Sequence, residues 1–129
     1  MAKKKKQEIL ERLSNINNII ITQDVEDFIL DLEAKAADKV IRSIELLSEF
    51  GFYLPKTDYH RLWDSKYKLW ELITSLGKNE YRSLFFSLKD DNFLIAHAII
   101  KNTKRVPIKD IQTADKVYKD YLDSLERQK

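Results

Sequence analysis

The 129-residue chain has no cysteine, two glycines, two prolines, two histidines and one methionine. Without cysteine there is no disulfide framework and no thiolate metal site, which fits a reducing compartment. Two glycines leave no room for a Gly-rich phosphate loop. His60 and His97 do not form the paired spacing of an ordinary zinc site. Serine–histidine pairs occur, but nothing resembles a nucleophile elbow. Dinucleotide enzymes, metalloproteases and serine hydrolases are all disfavoured, and no cofactor or metal is expected. No apolar run approaches the roughly 18 residues that span a bilayer. Lys3–Lys6 resemble the start of a secretory signal, but the polar QEILERLSN follows where an apolar core should stand. The expectation is a soluble, cytoplasmic protein with no membrane partner.

What the chain does contain is enough apolar surface for one core. Hydrophobic residues make up 43% and aromatics 11%, as expected for a single domain of this length. The net charge of +2 says little, but its distribution says more. Residues 1–22 carry 5 basic and 2 acidic groups, residues 23–50 carry 3 and 8, and residues 51–105 carry 10 and 6. The acidic block coincides with a helical pattern and the basic surplus with strand patterns. A polyanion would prefer the second region. A mixed, solvated surface is the plainer reading of the same numbers.

Ile9, Leu10, Leu13 and Ile16 have helical spacing on a very polar segment, either a frayed helix or an arm that orders on a partner. NNIIIT can form a short strand. From Gln23 the apolar residues Val25, Phe28, Ile29, Leu32, Ala36, Val40, Ile44 and Leu47 fall on one stripe. A break near Leu32–Ala34 divides it into two antiparallel helices, and Gly51 suits the stop of the second. FYLPKTDYHRLWDSKYK reads as a loop with one short strand. LWELITSL and YRSLFFSL then flank GKNE as a hairpin, and KDDN turns the chain into FLIAHAII. Pro107 suits the first position of a terminal helix bearing Ile111, Ala114, Tyr118, Tyr121, Leu122 and Leu125. The pattern predicts an α+β domain, with helices on one face of a small antiparallel sheet.

Two residues stand out among these strands. Arg82 shares a strand face with Leu84 and Phe86, and His97 is expected on a face with Phe93, Ile95 and Ile99. The basic loop KNTKR, with Lys101, Lys104 and Arg105, follows at once. A guanidinium near a strand end beside such a loop is placed to hold phosphate oxygens as a bidentate fork. Each residue has an alternative. Arg82 can pair with Glu71 or Glu80, His97 can be a satisfied core histidine, and KNTKR can be a solvated loop.

The order of these features resembles the RelE/HigB-type toxins of bacterial type II toxin–antitoxin systems, in their phage-derived HigB-like branch. The phrases that carry the resemblance are ELLSEFG (Glu45–Gly51), LWELI, the GKN turn, YRSLFF and HAIIKNTKRVP. It covers Ile19 to Leu122. Residues 1–18 form a basic extension with no counterpart, leaving 19–129 as the toxin domain.

The resemblance implies a RelE-like fold, with an N-terminal helical hairpin packed on a small antiparallel sheet and a C-terminal helix. It implies a metal-independent endoribonuclease, an mRNA interferase that cleaves mRNA on the ribosome and inhibits translation. A cognate antitoxin protein would be its partner. Arg82 would hold the phosphate, with Lys101, Lys104 and Arg105 as supporting cations and His97 as acid or base. Lys66, Lys68 and Lys78 would contact the RNA backbone. Two alternatives remain at this stage, a ParE-like gyrase-inhibiting toxin and a non-catalytic interaction module. Ile73 stands where the branch has a second arginine, and Val106 stands where it has a threonine before the helix proline.

Overall fold

The computed structural model describes residues 2–101 and 105–128. Helix α1 (Ala2–Ser14) leads into strand β1 (Ile19–Ile21), then helices α2 (Gln23–Leu30) and α3 (Ala34–Phe50). Strands β2 (Tyr59–Leu62), β3 (Leu69–Leu76), β4 (Asn79–Ser87) and β5 (Phe93–Ile100) follow, and helix α4 (Ile108–Arg127) closes the chain. Thr22 caps α2 by accepting from the Val25 N–H at 3.3 Å. Asp24 and Glu26 in its first turn complement the helix dipole. The expected break falls between Leu30 and Ala34, and Gly51 stops α3 at a positive φ of 54°. The hairpin loop is tighter than GKNE. Leu76 pairs with Asn79 across Gly77 and Lys78, Gly77 takes φ 61°, and Asn79 and Glu80 belong to β4.

The sheet order is β1-β5-β4-β3-β2. β2 to β5 are antiparallel neighbours, but β1 runs parallel to β5. The sheet is therefore mixed and five-stranded, a correction to the expected antiparallel one. The helices also occupy both faces. Val25, Ile29, Ala36, Val40, Ile44 and Leu47 pack with Tyr81, Phe85, Phe93 and Ile95 on one face. On the other, Ile111 and Ala114 of α4 pack with Leu69, Leu84, Phe86 and Leu94. The physical reason lies in β4, whose residues Tyr81–Phe86 are all buried, so its second face needs a cover.

A β-bulge corrects the expected faces of β5. Leu84 pairs with His97 but Phe85 pairs with Ile95, leaving Ala96 as an extra residue. Past the bulge the alternation shifts. Phe93 and Ile95 face α2 and α3, whereas His97 turns towards α4, where it meets Asp110.

The basic N-terminal segment is part of the core, not an arm. Ile9 and Leu13 are buried against α2 and α3. Arg12 donates to both Glu45 oxygens, at 3.0 and 2.9 Å, and to Asp38 at 2.5 Å. No helix among the described residues is long and apolar enough to cross a membrane.

Hydrogen bonding from Arg12 lowers the Glu45 pKa below its ordinary value of 4.5. A depressed carboxylate stabilises the fold above the unfolded value and loses that contribution as pH falls through the folded one. Both side chains are partly exposed, so the contribution is about 1 kcal/mol or less. The melting temperature of Arg12→Ala should therefore lie below wild type at neutral pH and converge with it in acid. A gap that stays constant below about pH 4 would show that the pair contributes nothing through Glu45. Leu13→Ala, which opens the core, should cost about 2–5 kcal/mol at any pH.

Candidate functional site

The pairing register assembles a polar row across the sheet face that α4 partly covers. His60 pairs with Glu71, Glu71 with Leu84 and Leu84 with His97, so these four residues lie side by side on β2, β3, β4 and β5. In the next row Ile73 pairs with Arg82 and Arg82 with Ile99. Glu80 follows one row further, two residues from Arg82 on the same strand face.

Arg82 is 4% exposed. One guanidinium nitrogen donates to Glu71 Oε1 at 3.0 Å and another to Glu80 Oε1 at 2.7 Å. The two carboxylates differ. Glu71 is as buried as Arg82, whereas the Glu80 side chain is 39% exposed. Burial pushes the Glu71 carboxyl above the usual glutamate range, and the charge of Arg82 offsets part of that rise. The sequence alternatives of Glu71 and Glu80 as partners are thus realised together, and the pair with Glu71 is an interior one.

His97 lies diagonally from Arg82, at roughly 7–8 Å between backbones. Its Nε2 meets Asp110 Oδ1 at 2.8 Å, tying β5 to the first turn of α4. A carboxylate on one ring nitrogen fixes the imidazole orientation. His60 is exposed and stands three strand spacings from His97, about 14 Å, too far for both to serve one phosphodiester.

The basic residues divide between the two ends of the sheet. Lys101 follows β5 and its N–H donates to the Glu80 carbonyl at 2.8 Å, so it borders the Arg82 cluster. Arg105 is exposed just before α4, and Lys104 lies outside the described residues. Lys78 sits in the β3–β4 turn at the same end. Lys66 and Lys68 precede β3 towards its opposite end, with Lys68 roughly 17 Å along the strand from the row of Arg82. Among the described residues no three metal-ligating side chains converge. The sequence reading did not find Asp110 or the position of His60. The first depends on the bulge, the second on the register of a four-residue strand.

The polar cluster thus lies at one end of the sheet, beside the crossover into the last helix. The family model described as phage-derived protein Gp49-like (DUF891) matches residues 27–119, and the chain belongs to this family, known as HigB/RelE-like toxins. Such a family implies an antitoxin partner. The match begins inside α2, so α1 and β1 precede it. No curated protein matches the chain.

As a surface pair, Arg82 would contribute 0–1 kcal/mol. Its burial with Glu71 changes that expectation. Arg82→Ala should cost about 3–5 kcal/mol by leaving Glu71 buried without its cation. Combining Arg82→Met with Glu71→Leu should restore most of the loss. Urea unfolding of the three proteins measures this, and a single-variant loss under about 1 kcal/mol would place the pair in solvent.

Proposed function

We propose that this chain is a toxin that cleaves mRNA on the ribosome, using the end of the sheet face around Arg82, His97 and Lys101. Residues 19–129 carry the toxin domain in this reading, and residues 1–18 are an extension that braces it. The supporting observation is the fork of Arg82, held from behind by buried Glu71 and engaged in front by half-exposed Glu80. Glu80 marks an anion position on the guanidinium. A phosphate that displaces this carboxylate meets a donor already fixed in orientation.

The reaction is attack of an RNA 2′-hydroxyl on the adjacent phosphorus. The hydroxyl proton passes to a base, the P–O5′ bond breaks, and an acid protonates the departing 5′-oxygen. The products are a 2′,3′-cyclic phosphate and a free 5′-hydroxyl. His97, oriented by Asp110, is the acid or base of this scheme. Arg82 stabilises the charge that develops on the phosphorane-like transition state, with Lys101, Lys104 and Arg105 adding positive potential. Lys78 lies at the same end for backbone contact.

One observation favours a second reading. Ile73 is the direct cross-strand neighbour of Arg82, so the arginine absent from this chain is missing beside the proposed phosphate position. A scaffold that binds its partner without cleaving RNA would tolerate that change.

Ribosome-dependent cleavage of an mRNA, scored by its 5′ ends, tests the proposal. Arg82→Lys should keep the charge, lose the fork and retain only part of the rate. Folded Arg82→Ala, assayed below its melting temperature, should lose about 10²–10³-fold. Glu80→Gln should cleave at least as fast as wild type. Wild-type cleavage by folded Arg82→Ala would remove Arg82 from the chemistry. No cleavage by the intact chain would favour the interaction module, or, if gyrase supercoiling is inhibited instead, a ParE-like activity.

A further inference from the structure

Both tryptophans of the chain stand in one stack that the cleavage site does not use. The Arg61 guanidinium lies 4.4 Å over the Trp63 ring and 5.7 Å from the Trp70 ring. Phe52 continues the series, its centroid 4.9 Å from that of Trp70. Arg61 and Trp70 are cross-strand partners in β2 and β3, on the sheet face opposite the Glu71 row. The outer member is open: Trp63 is 78% exposed.

The segment that presents it is fixed. In the turn after β2, Ser65 donates from its hydroxyl to Asp115 Oδ1 at 2.5 Å, and the Lys66 N–H donates to Asp115 Oδ2 at 2.9 Å. The Ser65 N–H closes back on the Leu62 carbonyl at 3.3 Å. Asp115 is a buried residue of α4, so the turn carrying Trp63 and Lys66 is anchored to the second core. Beyond Trp70 the surface continues as a groove of about 550 Å³, walled by Phe52, Tyr67, Lys68, Trp70, Ser87 and Tyr118. Lys68 is in the groove wall, Lys66 is exposed in the anchored turn, and exposed Lys56 lies 5.4 Å from the centroid of the Tyr59 ring.

An exposed tryptophan under a guanidinium, continued by further aromatic rings and accompanied by lysines, suits the bases and backbone of a single-stranded nucleic acid. From this arrangement we infer that Trp63, Arg61 and Trp70, with the adjoining groove, form a stacking platform for single-stranded RNA. It is distinct from the cleavage cluster: Arg61 and Trp70 lie on the other face of the sheet, and the groove reaches round to Tyr67 and Tyr118 on the α4 side. Bases stack on Trp63 and enter the groove beside Trp70, while Lys66 and Lys68 meet phosphates. This assigns Lys66 and Lys68 a place towards the far end of β3 from the scissile phosphate, which their sequence position alone did not give. The identity of the strand as RNA rests on the proposed function; the stacking itself does not.

Tryptophan fluorescence of the full chain, titrated with a short oligouridylate and with its all-deoxy counterpart, tests the platform. Both should quench the emission saturably, because stacking needs no 2′-hydroxyl. Trp63→Ala should weaken binding about 10–100-fold, and Trp63→Phe should keep most of it. Affinity should fall between about 50 and 200 mM salt, with a shallower slope after Lys66→Ala and Lys68→Ala. Trp63 is exposed, so these variants should melt as wild type does. Unchanged oligonucleotide affinity in Trp63→Ala overturns the platform. Loss of antitoxin binding in that variant with oligonucleotide affinity intact overturns it too, and makes the surface a protein interface. Binding without any cleavage sinks the nuclease reading and leaves the platform standing. Cleavage with an unaltered KM in Trp63→Ala does the reverse.

Discussion

Arg82 can stand in β4 because Glu71 stands next to it. The strand is buried on both faces, under α1–α3 on one side and α4 on the other, and an isolated guanidinium there would carry a desolvation cost of several kcal/mol. The buried carboxylate offsets that cost and fixes the fork at the same time. The remaining direction of the guanidinium is the one Glu80 occupies, towards solvent at the end of the sheet. A charge retained in a two-sided core is weak evidence for stability, since an apolar pair would pack as well.

The same two-sided burial explains which parts of the fold were legible. A helical stripe with a break near Leu32 and a stop at Gly51 depends on local spacing and one positive φ, and the sequence carries both. The β3–β4 hairpin follows likewise from two apolar runs around Gly77. The placement of α4 was not legible in its own residues. An amphipathic helix declares that it covers something, and only the unbroken burial of Tyr81–Phe86 in β4 says that two faces need covering. The parallel pairing of β1 with β5 is a long-range contact, and three isoleucines carry no sign of strand direction.

The candidate site was legible in its residue types but not in its geometry. Arg82, His97 and the basic crossover were recognisable as a set. Their relative placement depends on one extra residue, Ala96, in β5. Strict alternation puts His97 with Phe93 and Ile95, facing the helical hairpin. The bulge moves it to the face of Arg82 and within reach of Asp110, so a single irregularity decides whether the imidazole belongs to the core or to the polar row. No periodicity argument detects such a bulge, because the apolar residues on both sides of it satisfy either alternation.

Charge distribution completes the same logic. The basic block of residues 1–22 and the acidic block of residues 23–50 face each other inside the fold. Arg12 joins α1 to Asp38 and Glu45 of α3, and Lys5 donates to the Leu32 carbonyl between α2 and α3. Part of that opposite charge is therefore engaged internally. The surplus of residues 51–105 is different, since it is spread over the β2–β3 turn, the β3–β4 turn and the start of the crossover to α4. Those segments border both the Arg82 cluster and the tryptophan stack. A net charge of +2 thus conceals an uneven molecule, in which Arg12 engages two acids of α3 while the cations around the sheet set the field a polyanion meets there.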